Sequence, residues 1–399
     1  MYTRLFFVLT IFATPELLSQ TNTEPTTRAD QIRQQRLEKD TNGQTDKPSS
    51  IEKHLTQIGR MIGRIPIHIQ VGGLGPGAGI AVGSVLEWNS SAETVLSKLW
   101  GITSFHGFYR AGAGLEIRNF TAHDLSFAIE GSHTDAPQLE YYGSGPQSSI
   151  HNRTNFRRED TLFEFRMQLH APRRLAEACR VGQLLLNVGP GTNGSLASSE
   201  TVFGPDQAPG IDVQSNYVIA GCATAVDVRD VPENPHKGTY AAATYDRYFA
   251  QNHDGFSFHR LSAVAEQYVP FFNKKRVIAI RAKTNLSLHS GDQAVPFYLQ
   301  PTLGSDTDLR GFRRYRFYDE NSIALTAEYR WEISTGFDMA LFGDSGKVSH
   351  RPGEISLSGL ESSVGFGFRF KNPTRVVARL DTGFSREGFQ IWFTFGEPF

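Results

Sequence analysis

The chain predicts an all-β fold, a transmembrane antiparallel β-barrel, and three observations predict it. Its last third is a run of strands with one apolar and one charged face. These strands are about ten residues long and are separated by turn residues, the pattern of a membrane barrel. Aromatic residues make up 12% of the chain, with 29 Phe, and many fall on the apolar face near strand ends, where an interfacial girdle belongs. A soluble β-sandwich also alternates, but the second face here repeatedly carries Arg and Glu, which suits a polar lumen.

The alternation is plain to read because side chains of a strand point to opposite faces in turn. In Ala324–Ile333, Leu325, Ala327, Tyr329, Trp331 and Ile333 share one face, and Ala324, Thr326, Glu328, Arg330 and Glu332 the other. In Ser363–Phe370, Val364, Phe366, Phe368 and Phe370 oppose Ser363, Gly365, Gly367 and Arg369. In Thr161–His170, Phe163, Phe165, Met167 and Leu169 oppose Glu164, Arg166, Gln168 and His170. The terminal strand sets Phe389, Ile391, Phe393 and Phe395 against Gln390, Trp392, Thr394 and Gly396, and the chain ends on Phe399.

Composition narrows the function classes. A net charge of -1 over 399 residues leaves no basic footprint for nucleic acid. Mean hydropathy is -0.33, and no run of about 18 apolar residues exists, so a spanning helix is excluded. A barrel hides its hydrophobicity in alternation, so a low average is no objection. The 38 Gly fit many turns and close-packed strands.

Taken from the N-terminus, residues 1–20 read as a secretory signal peptide, with Arg4 in the positive region and Leu5–Ala13 as the apolar core. Residues 21–63 are polar and charged, and read as a disordered or partly helical periplasmic segment. Within them Ile51, Leu55, Ile58, Met61 and Ile62 fall at near-helical spacing. Residues 64–399 form the barrel domain. Its strand-like segments are Ile65–Val71, Ile80–Trp88, Thr103–Arg118, His123–Gly131, Thr161–His170, Cys179–Val188, Tyr217–Val228, Thr239–Phe249, Phe256–Val269, Arg276–Asn285, Asn321–Ile333, Phe337–Phe342, Leu360–Phe370, Arg375–Phe384 and Phe389–Phe395. That is about fifteen or sixteen, and closed bacterial barrels take even numbers, so sixteen is expected. The long connections Asp135–Asp160, Gly189–Ser215 and Leu286–Glu320 belong at the extracellular end, since the other end takes short turns.

Cys179 and Cys222 flank the polar stretch Gly189–Ser215. If that stretch joins antiparallel neighbours, the two can face each other, and export would permit a disulfide. Two unpaired thiols on the apolar face is the simpler reading. No Cys/His spacing fits zinc, and no metal or cofactor is expected. His68, His106, His170 and His259 are scattered, with no Ser/His/Asp constellation, so no catalytic residue is assigned and no enzyme is expected.

One loop carries a specific motif. Leu286–Glu320 contains Leu309, Arg310, Gly311 and Phe312, followed by Glu328 on the charged face of a strand and then by Asp344. A guanidinium pairs bidentately with carboxylates. In a partly desolvated lumen such a pair would pin the long loop inside the barrel. The Leu309–Phe312 motif, the stretch Phe342–Val348 and the terminal aromatic resemble the outer-membrane assembly family of BamA and TamA, the bacterial surface antigen family. Asp227, Arg229 and Asp230, then Pro235 and Gly238, match that family's motif at a periplasmic turn.

The resemblance implies a sixteen-stranded barrel in a Gram-negative outer membrane, with the loop folded into the lumen and Arg310 paired with Glu328 and Asp344. It implies a lateral seam between the first and last strands, where Pro66 removes a ladder donor, and a terminal-strand signal at Phe393, Phe395 and Phe399. The expected partners are outer-membrane lipid and unfolded outer-membrane proteins, and a monomeric barrel is expected. The family's insertases carry periplasmic POTRA domains, and residues 21–64 read as too short and too polar for one. The expected function is thus protein insertion or translocation through the seam, with a passive channel or structural barrel as the alternative.

Overall fold

A computed structural model of the protein describes residues 67–396, apart from 76, 91–93, 119, 121–123, 172–173, 273 and 373. The signal peptide, the segment 21–63, Ile65, Pro66 and Phe399 lie outside the described residues. Sixteen strands form one sheet. In chain order they are β1 (Ile67–Gly73), β2 (Ile80–Asn89), β3 (Val95–Ser104), β4 (Tyr109–Ile117), β5 (Leu125–Tyr141), β6 (Thr154–Ala171), β7 (Leu175–Pro190), β8 (Tyr217–Asp227), β9 (Gly238–Ala250), β10 (Phe258–Phe271) and β11 (Arg276–Leu288). After a hairpin of β12 (Thr302–Leu303) and β13 (Phe317–Tyr318) come β14 (Asn321–Ser334), β15 (Phe337–Ser349), β16 (Glu361–Lys371), β17 (Val376–Ser385) and β18 (Gly388–Thr394).

Each barrel strand pairs with its sequence neighbour, and β11 pairs with β14 across the inserted hairpin. Among the described residues no ladder joins β1 to β18, so the barrel is nearly closed with one unsealed seam. No helix among the described residues is long and apolar enough to cross a membrane.

The two faces sort as alternation demands. Ile129 is 62% exposed, Val364 63% and Ile391 61%, all outward. Their neighbours Glu130, Ser363 and Trp392 point inward, with Trp392 only 4% exposed. So much apolar surface turned outward on a folded chain calls for lipid rather than water.

Strand lengths differ around the wall. β1 and β18 have 7 residues each, and β5, β6 and β7 have 17, 18 and 16. The tall strands rise at the long-loop end. There β7 outruns β8, whose ladder stops at Leu184 opposite Tyr217. The bare edge above is covered by amide side chains. Asn216 Oδ1 accepts from the Leu186 N–H at 2.9 Å and Gln214 Oε1 from the Val188 N–H at 2.8 Å. An unpaired edge would otherwise invite another chain.

Four sequence readings are corrected here. Thr103–Arg118 is two strands with a turn at 105–108, and β3 precedes that turn. Its lumen face carries Leu96, Trp100 and Ile102 beside outward Val95 and Leu99, so both faces are apolar and the alternation is blurred. Asp135–Asp160 is mostly strand, because Tyr141 pairs with Thr154 and only 142–153 is loop. β15 runs on past Phe342 to Ser349 through a Gly-, Ser- and Asp-containing stretch that mimics a loop. Finally, Cys179 and Cys222 are not unpaired thiols. They sit directly opposite in the β7–β8 register and form a disulfide on the outward face.

The long-loop end is covered. Phe297, Tyr298 and Tyr318 of the loop between β11 and β14 pack with Tyr141, Phe156 and Phe203 in one buried cluster. Ala78 of the β1–β2 turn is buried in the same cluster, with Leu74 against it. Burial of this many rings closes the mouth by the ordinary hydrophobic effect.

Candidate functional site

The loop 289–320 drops into the barrel and is held there by its own sequence motif. Leu309 adopts a left-handed backbone (φ 44°), which turns the chain so that Arg310 enters the lumen wall. Leu309 and Phe312 bury themselves with Leu303, Phe317, Ala324 and Val348, and the Phe312 and Phe317 rings meet edge to face at 5.2 Å. Gly311 is required by space. A Cβ there would stand 2.7 Å from the Phe384 backbone, and one on Gly383 would stand 2.5 Å from the Arg310 carbonyl.

Arg310 is fully buried. Its Nε and Nη2 donate to Asp344 at 3.0 and 2.9 Å, and its backbone N–H donates to the same carboxylate at 3.1 Å. Its Nη1 donates to Glu328 at 2.8 Å, and its guanidinium lies 3.4 Å over the Phe342 ring. The structure thus brings Arg310, Glu328 and Asp344 together, with Asp344 on β15 and Glu328 on β14.

The cluster is larger than the sequence motif. Glu328 also accepts from Arg330 at 2.8 Å and Arg369 at 2.9 Å. Arg369 pairs with Asp381, which also takes Arg379 at 2.7 Å, and Arg379 reaches Asp306 at 2.7 Å. Four guanidinium groups (Arg310, Arg330, Arg369, Arg379) therefore meet four carboxylates (Asp306, Glu328, Asp344, Asp381), and each buried charge has a partner. Balance of this kind is what permits charge away from water. Arg330, Arg369, Arg379 and Asp381 were legible only as charges at lumen parity, and their convergence needs the register of β14 through β17.

The same loop grips the last two strands. Trp392 Nε1 donates to the Arg310 carbonyl at 2.6 Å, and Ser385 Oγ to the Gly311 carbonyl at 2.7 Å. Arg316 bonds Glu387 of the β17–β18 turn at 2.9 Å and the Ser148 carbonyl at 2.6 Å. One edge of the seam is thereby fixed from inside the barrel.

The second motif lies in the turn 228–237. Arg229 Nη2 bonds Asp227 at 2.8 Å and its Nη1 reaches Glu266 on β10 at 3.2 Å. Asp230 Oδ1 accepts from the backbone N–H groups of Val231, His236 and Lys237, and Lys274 Nζ bonds its Oδ2 at 3.1 Å. Those N–H donors together overcome the cost of burial and push the Asp230 pKa down to about 2. Burial, then the nearby Lys371 charge, holds His236 below its ordinary pKa. Pro235 is buried, and Gly238 needs its positive φ of 115°, since a Cβ would meet the Val228 carbonyl at 2.3 Å.

The remaining sequence candidates stand apart. Phe393 faces outward, 52% exposed, and its ring meets that of Phe395 at 5.5 Å. His106 Nδ1 is 2.9 Å from the Gly77 carbonyl and His259 contacts Tyr245, each in its own place on the wall or rim.

Residues 213–399 match the Omp85 superfamily domain. No curated protein matches the chain significantly. Among solved structures, the barrel is similar to BamA from Haemophilus ducreyi lacking POTRA domains 1–3. That match has a TM-score of 0.62 at 14% identity, over 84% of this chain and 70% of that one. It is also similar to CdiB from Acinetobacter baumannii, with a TM-score of 0.50 at 8% identity, over 83% of this chain and 60% of that one. The barrel that contains the residues matching the Omp85 superfamily domain thus has a BamA-like fold.

Proposed function

We propose that this protein is a bacterial outer-membrane barrel of the insertion or translocation type, acting on polypeptides through the seam between β1 and β18. The observation that carries the reading is the seam's construction. One side ends in β18, which loop 289–320 holds from inside through Trp392 and Glu387. The other ends in β1, a 7-residue strand with no ladder to β18 among the described residues. Edges of this kind offer backbone donors and acceptors to an added strand, the physical basis of β-augmentation. The reaction needs no covalent chemistry, since the bonds exchanged are ladder hydrogen bonds. Leu309–Phe312, Glu328 and Asp344 hold the loop that positions the seam, and Phe393 and Phe395 anchor the last strand in lipid. The partners are outer-membrane lipid and unfolded outer-membrane proteins.

The test is single-channel conductance of the purified, refolded protein in planar bilayers, with and without an unfolded outer-membrane protein. Small, flickering conductance that changes on adding substrate supports the reading. Large, steady conductance indifferent to substrate overturns it in favour of a passive channel.

A further inference from the structure

The turn 228–237 does more than join two strands. β8 is the eighth strand of the sheet and β17 the fifteenth, seven places apart in a ring of sixteen. Yet the Glu233 carbonyl accepts a hydrogen bond from the Val376 N–H, the first residue of β17, at 3.2 Å. The turn therefore crosses the mouth of the barrel and lands on the opposite wall. Its landing is dry: Val376 is fully buried and Asn234 is 4% exposed. Lys371 at the end of β16 stands by, bonded to Asp338 at 2.8 Å.

Two further features make this crossing a built element. The span is braced internally, by Asp230 gathering three backbone N–H groups of its own turn and by its ion pair with Lys274 from the β10–β11 turn. Its foot is also wired to the pinned loop. Arg229 bonds Glu266, which accepts from Tyr268 Oη at 3.0 Å. Arg330 lies over the Tyr268 ring at 5.7 Å and bonds Glu328, the partner of Arg310. A contiguous chain of buried polar groups thus joins the turn at one mouth to the loop from the other.

We propose that residues 228–237 form a strap that closes the short-turn mouth, periplasmic on the reading above, and that it must lift from β17 before a polypeptide enters the lumen from that side. The long-loop mouth is already covered by the cluster around Tyr141, Phe297 and Tyr318. With the strap down, both ends are shut. Among the described residues the strap's backbone hydrogen bond to β17 and its polar composition make it the mouth that opens at lower cost than the ring cluster, because a backbone hydrogen bond exchanges readily with water.

The experiment uses the full chain in planar bilayers. Val376→Pro, at the first position of β17, removes the N–H that the Glu233 carbonyl accepts, and the expected result is a several-fold rise in conductance without added substrate. Unchanged conductance in that variant, with wild-type heat-modifiable mobility, overturns the proposal. A second protein, E233C with T374C, is bridged by a short bismaleimide; its native cysteines are already paired. Bridging is expected to abolish the open flickers of the wild type, and reagent-free protein to keep them. Flickering that survives complete bridging overturns the strap as the moving part. Neither readout depends on substrate, so failure here is separable from failure of the insertion reading.

Discussion

Arg310 shows how one side chain can hold a loop of more than thirty residues in a barrel. It has three carboxylates (Glu328, Asp344 and, at 3.6 Å, Asp381) and an aromatic ring about it, and none of its donors meets water. Removing it leaves Glu328 and Asp344 buried beside less compensating charge, a loss that costs about 3–5 kcal/mol. Arg310→Ala is therefore expected to lower the unfolding temperature and the heat needed to shift gel mobility, and wild-type behaviour would exclude the pin. Gly311→Ala attacks the same contact by volume, since the new methyl must displace the Phe384 backbone. It is expected to destabilise comparably while leaving every charge in place, and a double variant that adds to neither loss would place both in one interaction. The motif residues and their parity could be read from the sequence, because parity needs only a strand's period. The other half of the cluster could not. Asp381 and Arg379 lie on β17, and only the stagger between strands brings them to Arg310.

At the scale of single elements, loop 289–320 carries a pH-dependent base. His289 Nε2 lies 2.7 Å from Glu320, and the Ser290 carbonyl and that carboxylate raise its pKa against burial. Burial pushes the neighbouring Asp319 up to about 6. Both shifts have the same consequence. The histidine's contribution is fully present below its ordinary pKa and is lost as pH rises through the raised one. The aspartate's penalty applies when it is ionised, and disappears as pH falls through about 6. Protection factors in 289–320, each corrected for the intrinsic exchange rate at its pH, should therefore be higher at pH 5 than at pH 8, and the opposite order would contradict the assignment. Asp230 predicts the reverse sign in its own turn: its stabilisation is present above the ordinary carboxylate value of 3.8 and is lost toward about 2. The β7–β8 hairpin adds a chemical check. With Cys179 and Cys222 joined, native protein should yield no alkylatable thiol, and Cys222→Ser should cost about 2–4 kcal/mol. Which thiols meet depends on register, and spacing alone allowed both outcomes. β3 was hidden for a related reason, since an apolar lumen face erases the period on which strand reading depends.

Across the whole molecule the wall is uneven, and the unevenness falls on the two sides of the seam. From β14 to β17 the lumen is packed with paired charges and the strands run 14, 13, 11 and 10 residues. From β1 to β4 the strands run 7, 10, 10 and 9 residues. Their lumen face is largely apolar at Ala81, Val85, Leu96 and Trp100, and the ion pairs there, Lys98 to Glu130 at 3.6 Å and Arg118 to Glu116 at 3.1 Å, are partly exposed. Pairs that exposed contribute little, about 0–1 kcal/mol. Local opening free energy follows the buried contacts that must break. Exchange of backbone amides in native protein should thus be fastest in β1–β4 and slowest in β14–β17, with β18 protected beyond its length because loop 289–320 grips it. In Arg310→Ala that extra protection of β18 should vanish while β1–β4 stay as they were. If β1–β4 loosened equally, the loop would be bracing the barrel as a whole, and the seam would have no fixed side against which the other could move.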